Sequence, residues 1–224
     1  DKPEFIAKSR LFVAVYLDGD TDRAQKFGDT FGVMGYPTMI VFNSAGEELT
    51  RIPGGLDIGL YGDVLDLTLE NIQSVSEIVD AVMTGQVVSD DDYRLLGFYS
   101  WGQDNDRALA GLDEVEAFKA MADGCPADLS AASARIYAEY VRASVAAQED
   151  EENPRALSDE QKRAAVERVS LILADHDLSK ANLPLIVSYG DDIIPGLTDD
   201  GSPERVALVA AWNDIKPFAP ATNS

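Results

Sequence analysis

The chain has 224 residues, of which 46% are apolar, enough to fill the core of one large domain or two small ones. Eighteen Lys and Arg against forty Asp and Glu give a formal net charge of -22. Such a charge repels phosphate backbones and anionic lipid headgroups, and no apolar run reaches the length of a membrane span. We therefore expect a soluble protein with no nucleic-acid partner and no membrane insertion.

The sequence contains a single cysteine, Cys125, so that no disulfide can form within the chain. A lone cysteine is commonly a small buried residue, whereas the flanking Gly124 and Pro126 favour a turn with an exposed thiol. The sequence leaves both open. It begins at Asp1, with neither an initiator Met nor a leader, which indicates removal of a leader or a start part-way into a longer chain.

The first seventy residues carry both strand and helix signals. Leu11–Leu17 is a continuous apolar run, typical of a strand buried on both faces. Thr21 is placed as the N-cap of a helix that Gly32 ends. A second strand, Thr38–Phe42, is followed by a tight turn at residues 43–46 and an antiparallel return over Glu47–Ile52. This order predicts an α/β layer.

From residue 71 onward the signals are helical. At least five segments carry an N-cap or a 3.6-residue apolar stripe, and they begin at Ser74, Ser89, Ser130, Ser158 and Ser202. We expect an all-α domain over residues 71–224 with no strand of its own. The apolar run Leu183–Tyr189 could instead be extended, because Pro184 disfavours a regular helix there.

The segments Phe12–Asp18, Phe31–Phe42 and Arg51–Gly55 together resemble the second half of the thioredoxin domain. The family pattern there is a buried strand ending in Asp, a helix, "V-x-G-x-P-T" and an apolar strand, which Val33–Thr38 and Met39–Phe42 match. The resemblance implies a partial thioredoxin-like α/β domain over residues 1–70, lacking its first strand and its Cys-x-x-Cys helix. The remaining residues, 71–224, resemble no family.

The resemblance also implies a peptide-binding loop. It predicts a cis bond between Tyr36 and Pro37, and it assigns Tyr36, Pro37 and Thr38 to contact with an extended substrate peptide. The alternative is that Pro37 merely begins a strand, where its missing N–H is tolerated.

The leading functional expectation is a thioredoxin-family thiol–disulfide oxidoreductase that acts on protein cysteines, with its Cys-x-x-Cys upstream of this sequence. No catalytic residue is expected in the chain itself, because exchange needs an attacking thiolate and a resolving thiol. No cofactor or metal is expected. The alternative is a non-catalytic peptide- or protein-binding module with a helical interaction domain. Homo-oligomerisation stays open, and an extracytoplasmic location is favoured over a cytoplasmic one.

Other clusters have simpler explanations. The run Asp18–Asp22 resembles the opening of a calcium loop, but Arg23 occupies the position that requires Gly, so a strand end and helix cap are favoured. His176, between two aspartates, is expected on the surface at the C-terminal end of a helix. The apolar edge of the strand Leu11–Leu17 requires a covering neighbour. Upstream residues are favoured for this role over a second copy or the helical domain.

Overall fold

A computed structural model describes residues 3–35, 37–54, 56, 58–70, 73–109, 111–150 and 154–218. The side chains of residues 4, 70 and 104–107 are outside this description. The two strands are β1 (Met39–Phe42) and β2 (Glu48–Ile52). The helices are α1 (Pro3–Ser9), α2 (Asp22–Phe31), α3 (Ile58–Glu70), α4 (Val75–Met83), α5 (Asp90–Phe98), α6 (Trp101–Ala108), α7 (Glu114–Gly124), α8 (Ser130–Ala146), α9 (Asp159–Ala174), α10 (His176–Ala181), α11 (Ile186–Ser188), α12 (Ile194–Leu197) and α13 (Pro203–Ile215).

The helix boundaries follow the capping residues. The Thr21 hydroxyl accepts a hydrogen bond from the backbone of Ala24, and Gly32 ends α2 in the left-handed conformation at φ +62°. Three of the predicted helix starts, at Ser74, Ser89 and Ser158, are capping boxes, formed with Glu77, Asp92 and Gln161 respectively. Ser202 caps α13, with Pro203 at its first position. The predictions for these helix starts are confirmed.

The predicted hairpin is also confirmed. β1 pairs antiparallel with β2, with Met39 opposite Ile52 and Val41 opposite Thr50. The Asn43 side chain sets the turn, because its Oδ1 accepts hydrogen bonds from the backbone N–H groups of Ala45 and Glu47. Gly46 completes the turn at φ +85°, a conformation that suits glycine.

The predicted strand at Leu11–Leu17 is wrong. Residues 13–18 have no regular secondary structure, and Leu11, Val13, Val15 and Tyr16 are exposed. The apolar run is typical of a strand buried on both faces, but the described part of the chain has no strand beside it to accept its hydrogen bonds. The residue composition of the segment favours a β-strand, but a strand forms only beside a second strand, which composition does not reveal.

In the described part of residues 71–224 every regular element is a helix, as predicted. Leu183–Tyr189 is helical too, although irregularly. A 3₁₀ turn at Leu183–Leu185 leads into α11, and a π-helical turn at Tyr189–Ile193 leads into α12. The 3₁₀ turn accommodates Pro184 because Pro at the start of a helix loses no backbone hydrogen bond.

Two hydrophobic clusters meet along α8. The first joins the hairpin and α3 to α4–α8, and the second joins α8 to α9–α13. Ile136 of α8 packs into the first cluster and Val141 into the second. Arg135, buried between them, donates hydrogen bonds to the carbonyl of Gly97 at the end of α5 and that of Ala181 at the end of α10. α8 therefore organises the helical part. The division at residue 70 and the thioredoxin-like assignment stay predictions.

Strand β2 attaches the hairpin to the helices. Leu49, Thr50, Arg51 and Ile52 are all buried, and the N–H of Ser100 donates a 2.9 Å hydrogen bond to the Arg51 carbonyl. Because this carbonyl points away from β1, the turn between α5 and α6 covers the outer edge of β2.

We predict that Gly97→Ala destabilises the protein. A Cβ at Gly97 would lie 2.7 Å from Cα of Ala132, so α5 and α8 would have to separate, at a cost of about 1–3 kcal/mol. Gly102→Ala is the control, since nothing lies within 4 Å of a Cβ there, and alanine favours a helix. Urea unfolding of both variants measures the difference. Equal stability of the two would contradict the close α5–α8 contact.

We predict that Thr50→Val raises stability by about 1 kcal/mol, because the Thr50 hydroxyl is buried and has no hydrogen-bond partner among the described residues. Thr68→Val is the matched variant, and it is expected to lower stability, because the buried Thr68 hydroxyl donates a 2.8 Å hydrogen bond to the Leu65 carbonyl. Thermal unfolding distinguishes the two. A loss of stability in Thr50→Val would show that its hydroxyl does have a partner.

Candidate peptide-binding loop

The predicted peptide-binding loop lies between α2 and β1. Pro37 is exposed and Thr38 is half-buried at the start of the hairpin. Tyr36 is outside the described residues, and with it the predicted cis bond to Pro37. Of the three predicted residues the structure therefore describes two, with Pro37 exposed and Thr38 partly covered.

The Thr38 side chain connects this loop to the helical part. Its hydroxyl lies within hydrogen-bond distance of the Gly35 carbonyl and 2.7 Å from Oε1 of Gln103 on α6. A hydroxyl has one hydrogen, so Thr38 donates to one of these oxygens at a time. The contact with Gln103 joins residues 65 positions apart, and no local pattern in the sequence indicates it.

Pro37 packs against the end of the hairpin. A Cβ on Gly54 would lie 3.1 Å from the Pro37 carbonyl oxygen and 3.4 Å from its Cδ. Because Gly54 has no side chain, Pro37 can lie close to the backbone of Gly54, two residues after the end of β2. This approach leaves Pro37 itself open to solvent.

Arg51 fixes the other end of the loop. Its buried guanidinium donates to the carbonyls of Phe31 and Gly32 at the end of α2, at 2.6 and 3.1 Å, and forms a salt bridge with Glu48 at 3.0 Å. Cationic donors at a helix C-terminus satisfy carbonyls that lack partners within the helix. The end of α2 is thereby tied to β2, which fixes the point from which the chain leads towards Pro37 and Thr38.

Apolar surface surrounds the loop. Met34 is exposed, and Met39 and Phe42 of β1 are more than a third exposed. Among the described residues β1 pairs only with β2, so its second edge has no neighbouring strand. An extended peptide could use such an edge for main-chain hydrogen bonds and such side chains for apolar contact.

Cys125 does not belong to this site. It is buried at the end of α7, where its Sγ donates a weak hydrogen bond to the Pro126 carbonyl at 3.8 Å. Burial raises the pKa of the Cys125 thiol to about 11, and the carboxylates of Asp90 and Asp128 add to the shift. Of the two alternatives for this residue, the buried one is confirmed. A thiol with a raised pKa is a poor nucleophile.

A second concave region lies between the hairpin and α4, where a cavity of about 360 Å³ is lined by Glu47, Glu48 and Glu77 among others. Each carboxylate already has a partner within the chain. Glu47 accepts from Asn43, Glu48 pairs with Arg51, and Glu77 accepts from the Ser74 backbone, which lowers the pKa of Glu77. Of these three carboxylates, Glu48 is paired with a cation, whereas Glu47 and Glu77 accept hydrogen bonds from neutral donors.

The remaining candidates have structural roles. Asp18 forms a turn in which its Oδ1 accepts from the Asp20 N–H, which supports the helix-cap interpretation but not the strand end. His176 is exposed as predicted, but it begins α10 instead of ending a helix, and its ring contacts that of Phe218. Within the described ranges, no cluster of His, Cys, Asp or Glu could hold a metal ion.

Comparison with family models, with curated protein sequences and with solved structures finds no match for this chain. No helix in the described part of the chain is both long and apolar enough to cross a membrane.

We predict that Cys125 reacts slowly in the folded protein. Raising a thiol pKa from 9.0 to about 11 lowers the thiolate fraction near pH 8 by about 100-fold, and burial adds a steric barrier. Alkylation by iodoacetamide should therefore accelerate at least that much when the chain is unfolded in concentrated urea. Mass spectrometry follows the reaction. Equal rates in the folded and unfolded chains would contradict the buried placement.

Proposed function

We propose that this chain is the peptide-holding part of a thioredoxin-like thiol–disulfide oxidoreductase that acts on protein cysteines. In this proposal Tyr36, Pro37 and Thr38 hold the substrate as an extended strand, and the Cys-x-x-Cys lies upstream of residue 1. The observation that carries the proposal is the exposed Pro37, which lies between a helix end held by Arg51 and a strand whose second edge pairs with no strand in the described part of the chain.

The arrangement of fixed and open groups supports peptide binding. Arg51 holds the start of the loop through its hydrogen bonds to the carbonyls at the end of α2. Gly54 supports the loop through its close contact with Pro37. Thr38 is anchored to Gln103. A loop that is held in place loses little conformational freedom on binding, so a peptide associates with it at a smaller entropic cost.

The chemistry of the proposal needs two thiols. One thiolate attacks a sulfur of the substrate disulfide and releases the other sulfur as a thiolate. The second thiol, once deprotonated, then attacks the mixed disulfide and releases the reduced substrate, so two electrons pass from the dithiol to the substrate. Cys125 cannot perform both steps, and its burial and raised pKa make it a poor candidate for either.

A second candidate is a non-catalytic module that binds a peptide or protein at the same loop. The observation that favours it is the contact of Thr38 with Gln103 of α6, since this joins the loop to the helical part. The two candidates share the binding site and differ in whether a redox pair accompanies it.

The residues encoded immediately upstream of Asp1 distinguish the two candidates. We predict a Cys-x-x-Cys there. A chain extended to include it should reduce insulin in a dithiol-coupled assay, whereas the 224-residue chain should show no activity. Absence of the cysteine pair would reject the oxidoreductase and leave the binding module. Activity of the 224-residue chain that survives Cys125→Ser would contradict the assignment of the chemistry.

Within the extended chain, Thr38→Val should raise KM for insulin by about 2–10-fold, the effect of one lost hydrogen bond at the loop. Thr30→Val is the control, because the Thr30 hydroxyl donates to the Lys26 carbonyl on the exposed surface of α2. An unchanged KM in Thr38→Val would show that this loop does not contribute to substrate binding.

A further inference from the structure

Gln103, the residue of α6 that contacts the peptide-binding loop, lies on a backbone that the core of the helical part holds in place. Trp101, two residues before it, is 1% exposed, and its indole N–H donates a 2.9 Å hydrogen bond to the Leu96 carbonyl. The N–H of Gln103 donates to the carbonyl of Ser100, and the N–H of Ser100 donates to the carbonyl of Arg51. The backbone at Gln103 is therefore joined both to the core and to β2.

Three oxygen atoms meet where Gln103 contacts the loop. The Thr38 hydroxyl oxygen lies 2.7 Å from Oε1 of Gln103 and within hydrogen-bond distance of the Gly35 carbonyl oxygen. The hydroxyl has one hydrogen, and neither of the other two oxygens carries one. When the hydroxyl donates to one of these oxygens, its lone pairs face the lone pairs of the other at a short distance, which is repulsive.

A half-turn of the Gln103 amide removes this repulsion. The amide ends in an oxygen and an NH2 group of similar size, and these exchange places when the last side-chain bond rotates. With Nε2 towards Thr38, Gln103 donates to the hydroxyl oxygen and the hydroxyl donates to the Gly35 carbonyl. The same two groups pair in this way elsewhere in the chain, where Nε2 of Gln86 donates a 2.9 Å hydrogen bond to the Thr84 hydroxyl.

This series of hydrogen bonds bounds the residues that are proposed to hold the peptide. Gly35 and Thr38 flank Tyr36 and Pro37 in the sequence. A Thr38 hydroxyl with a fixed direction keeps the Gly35 carbonyl engaged, and it holds the two ends of this short segment at a constant separation. Less conformational freedom then remains to be lost when a peptide binds.

We propose that Gln103 is a positioning residue for peptide binding, which donates a hydrogen bond through Nε2 to Thr38 and thereby directs the Thr38 hydroxyl to the Gly35 carbonyl. Gln103 acts through Thr38 and does not need to touch the peptide. The inference rests on the proposed function, because it assigns the effect of Gln103 to the same loop. Gln103 lies outside residues 1–70, so the resemblance to the thioredoxin domain assigns it no role.

The first test observes the hydrogen bond itself, by NMR of the isotope-labelled 224-residue chain. The side-chain NH2 signals of Gln103 are identified by their loss in Gln103→Glu. Thr38→Val should raise the rate at which the bonded Nε2 proton exchanges with water, because the substitution removes its acceptor. The NH2 signals of Gln86 are the control and should keep their exchange rate. An unchanged exchange rate at Gln103 in Thr38→Val would overturn the proposal.

The second test measures the affinity of the chain for a peptide, the B chain of insulin with its cysteines carboxymethylated. Near neutral pH the side chain introduced by Gln103→Glu keeps its length and its acceptor oxygens but has no hydrogen to donate, and that of Gln103→Met has neither group. Both variants should raise the dissociation constant by about three- to tenfold, the effect of one lost hydrogen bond.

Gln86→Glu is the matched control for charge, because it adds the same charge and removes the same kind of hydrogen bond just after α4. It should bind the B chain as the parent does. Parent-like affinity of Gln103→Glu would show that the Thr38 hydroxyl donates to Gln103 instead, and it would overturn the proposal.

A double variant separates positioning from a general effect on the fold. If Gln103 acts through the Thr38 hydroxyl, Thr38→Val combined with Gln103→Met should bind no more weakly than Thr38→Val alone, since the hydroxyl is already absent. Additive losses would overturn the proposal. A parent that does not bind the B chain would reject the proposed function, and with it the role of Gln103 in binding. The proton exchange rates would then still decide whether Gln103 donates to Thr38.

Discussion

The arrangement of the first seventy residues depends on the hydrogen bonds and the salt bridge of the buried Arg51 guanidinium. It joins α2 to β2 through the carbonyls of Phe31 and Gly32, and Glu48 balances its charge. A buried charge is costly unless it is paired and fully hydrogen-bonded, so this position tolerates little change. The backbone of the same residue accepts the hydrogen bond from Ser100. One residue thus connects α2, the hairpin and the helical part.

This connection explains how an exposed loop can be well positioned. Arg51 holds the helix end that precedes the loop, and the loop leads into a hairpin whose second strand is buried in the core. Pro37 is supported by Gly54, and Thr38 contacts Gln103. The loop is therefore accessible to a partner while its two ends are fixed. Such a combination suits binding, and it leaves any redox chemistry to groups other than Cys125.

Local signals in the sequence predicted most of the elements, because capping and turns depend on neighbouring residues. Thr21, Ser74 and Asn43 each act through hydrogen bonds to residues two to four positions away. The interpretation of Leu11–Leu17 as a strand was wrong because a strand exists only with a partner, which residue composition does not reveal. The roles of Arg51 and Gln103 could not be predicted either, since their contacts cross 19 and 65 positions. The sequence left open whether the Cys125 thiol is buried or exposed, and the structure shows that it is buried.

The most direct test of the central claim, that the loop at Pro37 and Thr38 holds an extended peptide, is NMR titration of the isotope-labelled chain. The probe is the B chain of insulin with its cysteines carboxymethylated, so that binding is observed without disulfide exchange. If the loop holds the peptide, the backbone amides of Gly35, Thr38, Met39 and Gly54 shift together in a saturable manner, and those of α9 and α13 do not. Saturable shifts confined to the cavity between the hairpin and α4, or no shifts at all, would contradict it.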